Sequence, residues 1–296
     1  MKIFCYKNIR SIVVMRLTSN DATPNRILYV RWFLFSELIA QPYQLNINHL
    51  KKQDMNTIQF SRLMLLLSIL SLSSSCNDAS AVIGSGKIVT QTRQVSGFDA
   101  IELRSHANVE IKKGKDFKVE VSDYENLLPY LTLEKSGSTL EIGVKKNTKM
   151  INSKTRVVIT MPDPLYSINI KGSGNFYIDS PFNDLTSIVI AGSGDVNSDV
   201  AQQLDKLVVK ILGSGNVEFK GSAAVVEASI AGSGNIYLMQ LSTKAADCTI
   251  MGSGDIEIKA VDTLKAKVNG SGNIRYSGNP VSEIKVNGSG RIENVK

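Results

Sequence analysis

Ile230-Ala-Gly-Ser-Gly-Asn-Ile236 and Ile250-Met-Gly-Ser-Gly-Asp-Ile256 carry one pattern: an apolar residue, a Gly-Ser-Gly triplet two positions later, then Asn or Asp, then an apolar residue again. In the C-terminal half the triplet recurs seven times, opening at Gly172, Gly192, Gly213, Gly232, Gly252, Gly270 and Gly288, at offsets of 20, 21, 19, 20, 18 and 18 residues. Self-similarity at so short a period marks a solenoid, in which one supersecondary unit stacks on the next.

The columns on either side of the triplet fix the kind of unit. Four positions before each first glycine stand Ile168, Ile188, Val209, Ala228, Cys248, Ala266 and Ile284; two before stand Ile170, Ile190, Ile211, Ile230, Ile250, Val268 and Val286. Four after stand Phe176, Val196, Val217, Ile236, Ile256, Ile274 and Ile292, followed by the mixed column Tyr177, Asn197, Glu218, Tyr237, Glu257, Arg275 and Glu293. Period-two alternation on both sides of a glycine corner predicts strand, bend, strand and then a looser return, such as Ser180 to Thr186 or Gly221 to Val225. The expectation is an all-β fold, a parallel β-helix (β-solenoid) with about 18–21 residues per turn and Gly-Ser-Gly corners. Seven or eight turns at about 4.8 Å each would make a rod of roughly 35 to 40 Å.

Glycine suits the corners because it accepts positive φ and lets stacked backbones approach closely. The next position holds Asn175, Asp195, Asn216, Asn235, Asp255, Asn273 and Arg291; Asn and Asp side chains bond to nearby backbone in turns. Leu103 to Ile111 aligns with Ile170 to Ile178 as a degenerate first turn, with His106 on Ser173 and Asn108 on Asn175. Between them, Phe117 to Val121, Leu131 to Glu134, Thr139 to Val144 and Thr155 to Met161 read as wider turns with hairpin excursions, as terminal repeats often are.

The N-terminal part reads as an address. Residues 1–54 show no repeat and little strand periodicity, and read as a doubtful extension ahead of a start at Met55, the alternative being a genuine tail. Residues 55–76 fit an export signal: Arg62, the apolar core Leu63 to Leu72, then Ser73-Ser-Ser-Cys76. Small residues before a cysteine resemble a bacterial lipobox, which implies lipidation at Cys76. Residues 77–94 would be a tether and 95–296 the β-helix domain.

Charge divides the chain at the same place. Residues 1–76 carry nine Lys or Arg against three acids, and 77–296 carry 25 against 24, so the net +7 falls to +1 beyond the leader. The remainder has no basic face for nucleic acid. Of three cysteines, Cys5 and Cys76 lie in the leader and Cys248 in an inward column, which leaves the domain no disulfide.

Chemistry is sparse. Gly84-Ser-Gly-Lys87 lacks the spacing of a phosphate-binding loop. Asp195 and Asp255 do not recur in every turn as a calcium roll requires, so no metal and no cofactor are expected. The histidines are His49 and His106 alone, and Glu218, Glu257 and Glu293 alternate with Tyr and Arg like a solvated face. The chain reads as no enzyme. Tyr177 and Tyr237, with Tyr276 nearby, could instead offer rings on a flat sheet to a sugar, although tyrosines on exposed strands also simply favour β structure.

The segment Gly84 to Ile101 and the reiterated Gly-Ser-Gly-Asn/Asp-Ile/Val resemble the putative auto-transporter adhesin, head GIN domain family of Bacteroidetes-like bacteria, over about residues 95–290. This chain departs from the glycine pattern at Ser105-His106-Ala107 and at Arg291. The resemblance implies a right-handed parallel β-helix on an exported, often lipid-anchored protein. The expected function is a non-enzymatic cell-envelope lipoprotein, held to the membrane through its lipid and presenting a rigid face to glycan or protein. The rivals are a periplasmic structural or signalling-accessory module and a carbohydrate-active enzyme.

Overall fold

The computed structural model describes residues 80–295, together with the backbone of three short strands in the N-terminal part. Strands β1 (Cys5–Asn8), β2 (Ile12–Met15) and β3 (Leu28–Val30) pair antiparallel in one small sheet, in a region of little strand periodicity. The leader from Met55 to Cys76, with its lipidation cysteine, lies outside the described residues.

The second compact unit spans Cys76–Lys296. Its strands before the triplets are β4 (Ser80–Ile83), β5 (Ile88–Arg93), β6 (Ala100–Leu103), β7 (Asn108–Lys113) and β8 (Lys118–Tyr124). They are followed by β9 (Leu131–Ser136), β10 (Thr139–Val144), β11 (Thr148–Ile151) and β12 (Arg156–Met161). Two of them fall in the stretch expected as a tether. There β5 pairs antiparallel with β8, and β4 pairs in parallel with β11, so residues 80–93 are part of the folded unit. The alternation in Ile88–Arg93 is too short and polar to announce a strand.

Strands β6 and β7 form the degenerate first turn, with Leu103 paired to Ile170 and Val109 to Phe176. That turn is not the end of the stack. On its other side β10 pairs in parallel with β6, and β12 with β7, so the layer made by residues 139–161 lies outside the layer made by 100–113. Of the stretches expected as wider turns with hairpin excursions, β9 and β10 form a hairpin, while β8 lies antiparallel on β12 rather than forming a wider turn. Val119, Leu127 and Leu128 are fully buried at this end, and the rings of Phe98 and Phe117 meet at 4.8 Å.

One carboxylate is sealed in here. Asp123 is fully buried and accepts hydrogen bonds from Ser153 Oγ at 2.6 Å, from the backbone N–H of Tyr124 at 2.7 Å and of Lys154 at 2.9 Å, and from Thr155 Oγ1. Burial pushes its pKa up, but the bonds from Ser153, Thr155 and the two backbone groups outweigh it and hold the carboxyl below its ordinary value.

From the first triplet onward the chain winds regularly through β13 (Ser167–Ile170), β14 (Phe176–Ile178), β15 (Ser187–Ile190), β16 (Val196–Ile211) and β17 (Val217–Ile230). It continues through β18 (Ile236–Ile250), β19 (Ile256–Val268), β20 (Ile274–Ser277), β21 (Val281–Val286) and β22 (Ile292–Asn294). All pairings among these strands are parallel, giving a β-solenoid of about six turns, with the layers of β6–β7 and β10–β12 added at its head. The return from Ser180 to Thr186 is loose as expected. Gly221 to Val225 is not: it stays paired within β17, with a register shift between Glu218 and Gly221.

The inward columns are filled. Ile170, Ile190, Ile211, Ile230, Ile250 and Val268 are all fully buried, as are Val196, Val217, Ile236, Ile256 and Ile274. At the tail end the same columns surface: Ile284 is 45% exposed, Val286 41%, and nearby Val281 80%.

The corners show which property of glycine is required. Of the glycines in the seven repeat triplets only Gly288 has a left-handed φ; the others are needed for close approach. A methyl group on Gly192 would overlap the carbonyl oxygen of Gly172, and one on Gly194 that of Gly174. Beside the corner, the Asn/Asp column is a ladder along the axis. Asn175 Oδ1 accepts the backbone N–H of Asp195 at 2.9 Å, Asp195 that of Asn216 at 2.7 Å, Asn235 that of Asp255 at 2.9 Å and Asp255 that of Asn273 at 2.7 Å. Each side chain thus bonds to the next turn rather than to its own. Each Asp lies between two Asn, so no two carboxylates of the column are adjacent.

Candidate binding face

The mixed column after the corner runs down one outer face in strict register. Glu110 pairs with Tyr177, Tyr177 with Asn197, Asn197 with Glu218, Glu218 with Tyr237, Tyr237 with Glu257, Glu257 with Arg275 and Arg275 with Glu293. Successive members are about 4.8 Å apart, which sets Tyr177 and Tyr237 roughly 14 Å from each other.

The two tyrosines differ in what holds them. Tyr177 is 40% exposed, and its hydroxyl donates to Asp199 Oδ2 at 3.2 Å; the Lys220 ammonium lies 2.9 Å from Asp199 Oδ1. This bond raises the Tyr177 pKa, while Lys220, and then Tyr177, lower that of Asp199. Tyr177 is therefore tied to a polar neighbour. Tyr237 is 37% exposed and borders an open groove of about 330 Å³, whose walls are Glu218, Glu257, Met239 and Gln240 over the buried ring of Phe219. Glu257 is paired with Arg275, whose pKa that carboxylate raises.

Tyr276 does not join them. It sits one residue past the outward position of Arg275, pairs with Ile258, and at 9% exposure belongs to the core. Its position corresponds to Ile178, Phe219, Leu238 and Ile258 in earlier turns, so parity turns the ring inward. Of the three tyrosines expected to bind, the face presents Tyr177 and Tyr237. Cys76 lies outside the described residues.

The other groups are placed as follows. His106 is exposed at its corner. Cys248 is buried, and desolvation pushes its thiol up to about 12, which keeps it from acting as a nucleophile. Asp195 and Asp255 spend an oxygen each on the corner ladder. Among the described residues no cluster of His, Cys, Asp and Glu is arranged to hold a metal ion.

Sequence reasoning missed a second hollow, of about 670 Å³, on the return side between Asp184, Asp205, Ser222, Lys244 and Asp262. Its walls come from stretches whose pairing slips, between Asn197 and Ala201, Glu218 and Gly221, and Leu238 and Ser242, so no fixed offset from the triplets aligns them.

Residues 97–280 match the model of a family described as putative auto-transporter adhesin, head GIN domain. Among solved structures, a putative adhesin from Bacteroides fragilis is similar at 27% identity and a TM-score of 0.66, over 72% of this chain and all of that one. A putative lipid binding protein from Parabacteroides distasonis is similar at 28% identity and a TM-score of 0.61, over 73% of this chain and all of its own. A putative adhesin from Parabacteroides merdae is similar at 27% identity and a TM-score of 0.60, over 74% and 100%. The curated proteins hold no match.

Proposed function

Because this chain belongs to the putative auto-transporter adhesin, head GIN domain family, we propose that it is a non-enzymatic binding module of the cell envelope, anchored through a lipid on Cys76, whose solenoid holds the Tyr237 groove toward a glycan. The observation that carries this reading is the exposed Tyr237 ring standing between Glu218 and Glu257 on a rigid parallel sheet. An aromatic face stacks on the apolar face of a sugar ring, and carboxylates on either side accept hydrogen bonds from its hydroxyls. With Glu257 paired to Arg275, the Glu218 carboxylate still disfavours an anion in the groove, so neutral or amine-bearing sugars fit better than sulfated or uronic ones. The similar protein described as lipid binding does not change this assignment, since the interior columns here are filled by side chains.

Binding of the full chain to arrays of neutral, amine-bearing and acidic glycans tests the reading. Tyr237→Ala is expected to abolish capture without changing the melting temperature; capture unaffected by it overturns the groove assignment. Protease shaving of intact cells, followed by mass spectrometry, tests the placement. Release of solenoid peptides, together with an acylated Cys76 peptide, is the expected result. Protection until the outer membrane is opened favours the periplasmic module instead.

A further inference from the structure

The last turn of the solenoid presents a sheet edge with a readable code. Every residue of β21 is exposed, including Val281, Ile284 and Val286, and among the described residues no strand pairs with its far side. The Asn287 backbone N–H bonds back to Val268 O at 2.7 Å, so the odd-numbered positions of this strand turn their N–H and C=O toward β19. By alternation, Ser282, Ile284 and Val286 aim theirs at the open edge while their side chains continue the inward columns. Glu283 and Lys285 stand on the outer face.

We infer that this edge pairs with the same edge of a second copy of the chain, antiparallel about a two-fold axis through Ile284. In that register Ile284 lies opposite Ile284 of the other copy and Ser282 opposite Val286, all with their hydrogen-bonding groups facing, for roughly six backbone bonds. The same register sets Glu283 of each copy directly opposite Lys285 of the other, twice over, at the closer spacing of a non-hydrogen-bonded pair. The neighbouring registers that keep the hydrogen-bonding parity fail. Shifted one way, Glu283 faces Glu283 and Pro280, which has no N–H, takes a bonding position; shifted the other way, Lys285 faces Lys285. A second copy also supplies what a bare edge lacks, since Ile284 and Val286 would close one continuous core across the axis. Head-to-tail stacking offers no such shared core, because at the opposite end, where β5 and β9 are the outermost strands, Leu127 and Leu128 are already buried. The pairing does not depend on what the Tyr237 groove holds.

Sedimentation velocity of the full chain in mild detergent, over a range of concentrations, tests the inference. The parent chain is expected to form a dimer. Glu283→Lys and Lys285→Glu should each weaken it by about tenfold, because each sets like charges opposite one another at both sites. The double variant should restore the dimer, and the two single variants mixed together should associate with each other more tightly than either does with itself. Circular dichroism melts of the variants should match the parent, as both side chains are exposed. A monomer at all concentrations overturns the inference, and so does a dimer indifferent to the charge reversals, which would assign the association to another part of the chain or the edge to a different partner.

Discussion

Asn216 Oδ1 accepts two hydrogen bonds from Asn235, one turn away: one from the backbone N–H at 3.1 Å and one from the side-chain amide at 2.9 Å. Asn216 in turn donates through its own backbone N–H and side-chain amide to Asp195, at 2.7 and 2.9 Å. The column therefore works as a hydrogen-bonded rail beside the corner, running the length of the triplets. Asn216→Ala is expected to cost about 1–3 kcal/mol in urea unfolding, because both donors of Asn235 lose their acceptor while Asp195 Oδ1 keeps only the backbone N–H of residue 216. Asn216→Asp should cost more at neutral pH than at pH near 3, since it places two carboxylates on adjacent rungs.

The corner glycines should tolerate no side chain although all of the repeat triplets' glycines except Gly288 take ordinary backbone angles. Gly194→Ala drives a methyl group into the carbonyl oxygen of Gly174 and is expected to lower stability by about 3 kcal/mol. Ser193→Ala, at the exposed tip of the same triplet, should change it by no more than about 0.5 kcal/mol. Thermal melts of the two variants side by side separate crowding between turns from any general sensitivity of the corner.

Asp123 makes the stability of the head end depend on pH. Its folded pKa lies below the ordinary carboxylate value near 3.9, so its contribution is complete above that value and is lost as pH falls below it toward the folded pKa. Asp123→Asn is expected to destabilise the chain by about 1–3 kcal/mol at pH 7. The gap between variant and parent should narrow as pH drops below about 4. A gap that stays constant down to acid denaturation would mean that the neutral form is held as well as the carboxylate.

Cys248 should be inert in the folded chain. With its thiol pushed up to about 12 inside the core, iodoacetamide at pH 8 is expected to leave the Cys248 peptide unmodified, and to alkylate it once urea unfolds the solenoid. Peptide mass spectrometry reads this site separately from the other cysteines.

The regular part of the fold was legible because every inward column repeats at a fixed distance from a triplet. The assignments of Ile230, Ile236 and their equivalents follow from alternation alone, and the alignment of Leu103 and Val109 with the first triplet turn holds to the residue. The stacking of 139–161 outside 100–113 was not legible, because β8 and β9 reverse the chain through antiparallel pairings that leave no periodic trace. On the face, Tyr177 and Tyr237 were placed by column. Tyr276 stands next to that column in sequence, but one step of parity turns it into the core. The strands at Ser80–Ile83 and Ile88–Arg93 were hidden by their polarity, since their partners rather than their own patterns order them.

Each triplet turn is paired only with the turns directly before and after it. Duplicating or deleting one such unit would therefore leave the closed head, the Asp123 nest and the terminal strand β21 chemically unchanged. What would alter is height. Every added unit would carry the tip about 4.8 Å farther from the head, so that reach can be lengthened or shortened in even steps while the chemistry at either end stays the same.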